Sequence, residues 1–150
     1  MATITKEVLT GAAPDAVWDA IRDIGALHTR LVPGFVLKTE LVPGGRRVTF
    51  ANGRTVEEPI VSSFDSLRRL VWTVKAEGSP FSHYNGAVQV HARAAGGSRV
   101  EWTVDFLPDS AAAILDGLMS AGAAAMTRAL QELAGPAAAD VADGRSQVLS

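Results

Sequence analysis

Apolar and polar residues alternate along several stretches of the chain, a pattern typical of β-strands with one covered face. Turn signals, of which Asn52-Gly53 is the strongest, separate these stretches. They predict strands over residues 3–10, 35–41, 46–51, 54–63, 69–76, 81–93 and 99–107. Because the last six strands follow one another through short turns, they form an antiparallel meander. Pro59 marks one of them as an edge strand or a bulged strand. Between the first two strands, residues 14–24 predict a short helix and residues 26–31 a second helical turn.

The parity of the alternation indicates which side chains face the covered side of the sheet. In the last three strands, Trp72, Tyr84 and Trp102 share parity with the apolar positions, whereas His83 and Asn85 share parity with polar ones. We therefore expect the three large rings to point inward. We expect His83 and Asn85 to lie on the solvated face.

A long helix over residues 109–135 is predicted to cover the sheet. Asp109 or Ser110 can cap its start, and Gly135-Pro136 ends it, because glycine accepts the left-handed cap and proline cannot continue the ladder. One apolar stripe recurs at three- and four-residue spacing. It consists of Leu115, Leu118, Met119, Gly122, Met126, Ala129, Leu130 and Leu133.

Gly122 lies in the middle of this stripe, where glycine costs roughly 1 kcal/mol relative to alanine. Close packing of the helix on the sheet would explain it, and so would room left for a bound molecule. Both explanations stay open. Large rings that face a helix rich in alanine and glycine interlock less tightly than leucines do. This mismatch favours a cavity between sheet and helix.

The composition fits one compact domain. Of 150 residues, 47% are hydrophobic and 20% are charged, so the chain can form a core without a disulfide or a metal. We assign residues 1–135 to this domain and residues 136–150, which contain few large apolar side chains, to a flexible tail. No cysteine is present, which excludes disulfides, thiolate zinc sites and cysteine nucleophiles.

Charge and hydropathy limit the partners. The formal net charge of -2 leaves no electrostatic footprint for nucleic acid. Arg46-Arg47 and Arg68-Arg69 are interpreted as solvated strand ends. No apolar run at the N-terminus suits a signal peptide, and none elsewhere approaches the roughly 20 residues that span a bilayer. These features predict a cytoplasmic protein without a membrane span, either a monomer or a homodimer.

The spacing of chemistry-bearing residues indicates no metal site and no cofactor site. His83 and His91 share parity on one strand, but eight positions at about 3.3 Å each place them roughly 26 Å apart. Glu57 and Glu58 are neighbours on a strand and therefore point to opposite faces, which argues against a two-carboxylate mechanism. The sequence contains no glycine-rich phosphate-binding or dinucleotide-binding motif after a predicted strand.

Three polar residues are candidates for acid–base chemistry or ligand anchoring, and each has a structural alternative. Glu58 shares parity with its apolar neighbours and can enter the cavity, although an edge-strand charge at the proline bulge is the favoured interpretation. His83 can reach the cavity mouth if the preceding Gly-Ser-Pro turn shifts the register, although the solvated face is favoured. Tyr84 is either a hydrogen-bond donor to a ligand or plain core.

Four segments carry a resemblance to a known family: PDAVW at residues 14–18, VEEPI at 56–60, LVW at 70–72 and VEWTVDFLP at 100–108. Together with the order of elements over residues 2–134, they resemble the helix-grip fold of the START-like (SRPBCC) superfamily, in particular its polyketide cyclase/dehydrase family. The resemblance implies an α+β fold in which a curved antiparallel sheet wraps around the long C-terminal helix. It also implies a cavity for lipids, hormones or polyketides between sheet and helix.

We therefore predict that this chain binds a lipid-like or polyketide-like hydrophobic small molecule in that cavity, without a cofactor. The predicted ligand-binding residues are Trp72, Tyr84, Val88, Trp102, Val104, Leu118, Met119, Gly122 and Met126. Cyclase or dehydratase activity is one interpretation, with Tyr84, Glu58 or His83 as the acid or base. A non-catalytic lipid carrier or sensor and a protein-interaction module are the alternatives.

Overall fold

The computed structural model describes residues 1–135 in full and the backbone of residues 136–149. The strands are β1 (Ala2–Thr10), β2 (Val36–Val42), β3 (Gly45–Phe50), β4 (Thr55–Phe64), β5 (Arg69–Thr73), β6 (His83–Ala92) and β7 (Ser98–Leu107). The helices are α1 (Pro14–Arg22) and α2 (Ala112–Leu149). Short helical turns over Ile24–Ala26 and Leu27–Leu31 follow α1, and another over Asp109–Ala111 precedes α2. The predicted α+β class and order of elements are confirmed.

The strands form a single seven-stranded sheet in the order β1-β7-β6-β5-β4-β3-β2. All six pairings are antiparallel. From β2 to β7 each strand pairs with the next one along the chain, as the short turns predict. The first strand, β1, pairs with the last, β7, with Ala2 opposite Phe106 and Thr10 opposite Ser98. The sheet therefore wraps one face around α2, which is the helix-grip arrangement.

β4 lies inside the sheet, between β3 and β5. The edge-strand interpretation is therefore wrong, and the bulge alternative is correct, because the register shifts between Ile60 and Ser62. Pro59 lies opposite Gly45 of β3. A Cβ atom at Gly45 would lie 2.2 Å from the carbonyl oxygen of Glu58, so only glycine allows the two backbones to approach this closely.

The apolar stripe of α2 packs on the inner face of the sheet. Leu115, Met119, Met126 and Leu130 are buried, whereas Leu133 is 43% exposed and marks the end of the covered stripe. The backbone breaks helical geometry at Gly135, with φ 80° and ψ 169°, where the sequence predicts the helix to end. Beyond this kink the helical backbone resumes, so that α2 spans Ala112–Leu149.

The segment Asp109–Gly135 has the length and mean hydropathy of a membrane-crossing helix, although no such segment was expected. In this fold it is the core helix, and its apolar stripe contacts the sheet. The predicted tail, residues 136–150, lies outside the part of the chain that the structure describes in full. The domain boundary at residue 135 therefore stays a prediction. The cytoplasmic location also stays a prediction, because the fold carries no information about it.

Candidate functional site

A pocket of about 230 Å³ lies between the inner face of the sheet and α2. Most of its wall is apolar, and its rim is formed by side chains that reach solvent: Asn52 and Arg54 of the β3–β4 hairpin, Pro80 of the β5–β6 loop and Ile114 of α2. Ile114 is 61% exposed. The pocket therefore combines an open end with an interior shielded from water.

Seven of the nine predicted ligand-binding residues line this pocket. They are Trp72, Tyr84, Val88, Trp102, Leu118, Met119 and Met126. Val104 and Gly122 are not among the lining residues, because Val104 is completely covered in the core and Gly122 is covered by aromatic rings. These two residues therefore lie behind the pocket wall and not in it. The alternation and the helical stripe correctly identified most of the wall, but binding by these residues stays a prediction.

Gly122 is explained by close packing. A Cβ atom at this position would lie 3.0 Å from the Trp102 ring and 3.2 Å from the Phe35 ring, which is tighter than ordinary van der Waals contact. The ring of Phe35 also packs edge-on against Phe50, with 5.4 Å between centroids. The missing side chain is thus replaced by protein rings, and the space for a ligand lies elsewhere along α2.

A buried ion pair lies in the pocket wall. Arg46 Nε donates to Glu58 Oε1 at 2.8 Å, and both residues line the pocket. Arg46 is 3% exposed and Glu58 is 5% exposed, so neither the interpretation of Arg46 as a solvated strand end nor that of Glu58 as an edge-strand charge is correct. The signal for Arg46 was its parity, which it shares with the buried Val48 and with Phe50.

The neighbouring residues, Arg47 on β3 and Glu57 on β4, form a second ion pair on the opposite face of the sheet. Arg47 donates to Glu57 at 2.9 Å, and Lys75 lies 2.6 Å from the same carboxylate. These side chains lie on the solvated face, as the opposite parity of Glu57 and Glu58 predicts. Hydrogen bonds from Lys75 and from Arg47 lower the pKa of Glu57. Only the inner pair can meet a molecule in the pocket.

Tyr84 is buried in the pocket wall, and its ring packs edge-on against Phe81 with 5.3 Å between centroids. Burial and then the charge of Glu58 raise the pKa of the Tyr84 hydroxyl far above its ordinary value. The hydroxyl is therefore a neutral hydrogen-bond donor throughout the physiological pH range.

Trp72 lies against the ion pair, with the guanidinium carbon of Arg46 5.7 Å from the ring centroid, within range of a cation–π interaction. Gly86 of β6 makes this position possible, because a Cβ atom there would lie 2.7 Å from the Trp72 ring. The indole nitrogens of Trp72 and Trp102 are buried without a hydrogen-bond partner among the described residues.

His83 is exposed on the opposite face of the sheet, and the register shift that would have turned it inward does not occur. Asn85 lines a polar groove on that same outer face, together with Arg69 and Glu101. His83 is thereby removed as a candidate acid or base for the pocket. Within the described part of the chain, no group of three or more metal-ligating side chains could hold an ion.

Comparison with known proteins agrees with this architecture. Residues 1–138 match the family described as polyketide cyclase/dehydrase and lipid transport. The XoxI protein of Bacillus cereus is 25% identical, with a TM-score of 0.76 over 87% of this chain and 96% of that chain. A Thermobifida fusca protein is 27% identical, with a TM-score of 0.73 over 90% and 94%.

Solved structures of lower sequence identity share the same fold. The Zhui aromatase/cyclase of Streptomyces sp. R1128 has a TM-score of 0.73 over 89% of this chain and 93% of that chain, at 17% identity. This likeness concerns the fold alone. The sequence matches no curated protein significantly.

Proposed function

This chain belongs to the polyketide cyclase/dehydrase and lipid-transport family, and from that membership we propose that it binds a hydrophobic small molecule in the pocket between the sheet and α2. The family binds hydrophobic ligands and includes cyclases. The observation that carries the proposal is the pocket itself, which has about 230 Å³ of space, a largely apolar wall and an open rim. Sites for small molecules are concave and apolar with a few placed polar groups.

A neutral apolar fluorophore, N-phenyl-α-naphthylamine, tests this proposal. Its emission is expected to rise on binding and to saturate at one molecule per chain, because the pocket removes it from water. A ligand that binds only the folded state also raises the melting temperature, by the equivalent of about 2.7 kcal/mol at a hundred times its dissociation constant. Emission that rises linearly without saturation, together with an unchanged melting temperature, would contradict the proposal.

The matched variants are Met119→Trp and Ser120→Trp on adjacent positions of α2. Met119 lines the pocket and is completely buried, whereas Ser120 is exposed. The tryptophan side chain in Met119→Trp occupies part of the pocket and is expected to weaken binding of the fluorophore strongly. The same side chain in Ser120→Trp lies outside the pocket and is expected to leave binding unchanged. Far-ultraviolet circular dichroism verifies that both variants are folded.

Catalysis on the bound molecule is a second candidate function, and the burial of Glu58 and Tyr84 in one apolar pocket favours it. Glu58 would take a proton from the carbon beside a ketone, and Tyr84 and Arg46 would donate hydrogen bonds to the enolate oxygen. The enolate carbon would then form a bond to a second carbonyl carbon. That bond would close the ring, and the proton would pass from Glu58 to the new alkoxide. Glu58 would then take a second proton from the same carbon and deliver it to the departing hydroxide, so that water is lost and the conjugated enone forms.

Cyclisation of heptane-2,6-dione to methylcyclohexenone and water is the corresponding assay, because the conjugated product absorbs ultraviolet light. Catalysis predicts a rate above that of buffer, lost in Glu58→Gln and kept in Glu57→Gln. An equal rate with and without protein favours the alternative of a non-catalytic carrier or sensor. The third alternative, a protein-interaction module, predicts that neither the fluorophore nor the diketone is bound.

A further inference from the structure

The inner ion pair leaves one guanidinium nitrogen and one carboxylate oxygen without a hydrogen bond to the described residues. Arg46 Nε donates to Glu58 Oε1 and Arg46 Nη1 donates to the Ile24 carbonyl at 3.4 Å. Arg46 Nη2 and Glu58 Oε2 have no hydrogen bond to any described residue. The buried side-chain nitrogens and oxygens without a partner in the described chain are three ring nitrogens, and none belongs to this pair. The unused donor and acceptor therefore remain within reach of the pocket space.

The pocket interior carries no net charge. Arg46 and Glu58 cancel each other, and Tyr84 is neutral because burial raises its pKa. Arg54 also lines the pocket, but it is exposed at the rim. The backbone of Phe50 pairs with that of Arg54, so the backbones of Arg46 and Arg54 are separated by four strand positions, or about 13 Å along the strand. Water and salt screen its charge over that distance.

An additional charge inside the pocket would therefore lack a partner. A ligand carboxylate in the interior would have to compete with Glu58 for the guanidinium of Arg46, which places two like charges beside each other. A ligand ammonium would be repelled by Arg46 in the same way. Burial of an uncompensated charge costs several kcal/mol, whereas a neutral hydroxyl can accept from Arg46 and donate to Glu58 at no such cost.

We infer that the ligand of this pocket is a small neutral molecule with an apolar, ring-sized body and a hydroxyl, enol or similar group that both donates and accepts a hydrogen bond at the Arg46–Glu58 pair. This inference rests on the proposed function and narrows it. The pocket volume of about 230 Å³ lies below the roughly 300 Å³ at which drug-sized sites begin. A fused two-ring aromatic body is therefore the appropriate probe, and a long acyl chain is not.

The test compares four molecules with one common ring system: naphthalene, β-naphthol, β-naphthoate and β-naphthylmethylamine, each competing with the fluorophore at neutral pH. Native protein is expected to bind β-naphthol more tightly than naphthalene. The anionic and the cationic analogue are expected to bind at least about tenfold more weakly than β-naphthol, a factor equivalent to 1.4 kcal/mol. β-Naphthoate binding as tightly as β-naphthol would overturn the inference and leave the proposed function intact. Failure of the fluorophore itself to bind would overturn the proposed function.

A pair of isosteric variants tests the origin of the selectivity. Glu58→Gln keeps the shape of the pocket but leaves the charge of Arg46 uncompensated, so the preference for β-naphthol over β-naphthoate is expected to fall by about tenfold or to reverse. Glu57→Gln makes the same change one residue away on the outer face, and the order of the four probes should not change. An unchanged order in folded Glu58→Gln would contradict the role of the pair. The measurements on native protein decide the ligand class even if Glu58→Gln does not fold.

Discussion

At the scale of single residues, two chemically identical ion pairs show how burial decides what a charge does. Arg46–Glu58 and Arg47–Glu57 are adjacent rungs of the same β3–β4 ladder. The side chains of the inner pair are 4% and 7% exposed, against 40% and 30% for the outer pair. Removing one partner of a buried pair leaves an uncompensated charge, whereas an exposed charge is solvated by water.

Glu58→Ala is therefore expected to lower the free energy of unfolding by about 3–5 kcal/mol. Urea denaturation followed by tryptophan fluorescence measures this change. Glu57→Ala is the control and is expected to shift the midpoint only slightly. Equal effects of the two substitutions would show that the inner carboxylate is not held as a buried ion.

Tyr84 provides a second prediction at this scale, because it is the only tyrosine in the chain. Its folded-state pKa is raised above the ordinary value of 10.0, so the unfolded chain loses the proton first. The contribution of the buried, protonated hydroxyl to the free energy of unfolding is fully present below about pH 10 and is lost as the pH rises further. Tyrosinate absorbance should appear together with the loss of circular dichroism. A tyrosinate signal from folded protein near pH 10 would show that the hydroxyl is not buried as described.

At the scale of elements, Gly117 and Gly122 of α2 lie in opposite surroundings. Gly117 is exposed and a Cβ atom there would meet nothing within 4 Å, whereas one at Gly122 would lie 3.0 Å from the Trp102 ring. In the first case only helix propensity matters. In the second, the neighbouring ring must move, and overpacking a core costs about 1–3 kcal/mol.

Gly117→Ala is expected to raise the free energy of unfolding by about 0.5–1 kcal/mol, because alanine is the better helix former. Gly122→Ala should give no such gain and should instead destabilise the protein or alter the fluorescence of Trp102. Thermal unfolding of the two variants provides the comparison. A gain of similar size at both positions would mean that α2 and β7 are further apart than the structure shows.

At the scale of the whole molecule, the core formed by the fully described residues ends near the C-terminal end of the α2 stripe. All seven strands and α1 precede α2, and Leu130 is the last fully buried residue of the α2 stripe. Beyond it, Leu133 is largely exposed and Gly135 breaks the helical geometry. From these positions we predict that residues 1–135 are sufficient for a stable domain.

We expect a chain that ends at residue 135 to fold, to melt within a few degrees of the full chain and to bind the fluorophore with the same affinity. A matched truncation after Gln131 also removes the turn that precedes the kink at Gly135. We expect it to lower the melting temperature, because the new helix end then lies next to the buried Leu130 and frays. Loss of folding in the longer of the two truncated chains would place the domain boundary beyond residue 135.

The parities that define the pocket wall could be derived from the sequence, because side chains alternate across a strand and recur every three or four residues along a helix. That logic places Trp72, Tyr84 and Trp102 inside and His83 outside, as found. It does not decide the place of β4, where Pro59 indicates either an edge strand or a bulged one, and the structure shows a bulged strand flanked by β3 and β5. Local sequence cannot tell an edge strand from an inner one, because the neighbours are set by the whole topology.

By itself, therefore, the sequence determined the order of the elements, the inward face of Trp72, Tyr84 and Trp102 and the family. The tertiary structure alone decided how deep each residue lies and which side chains fill the space between sheet and helix. Gly122 shows this for shape, because only the position of the Trp102 ring decides whether a missing side chain leaves a gap. Arg46 shows it for charge, because a guanidinium is stable inside the pocket only where the partner strand places a carboxylate against it.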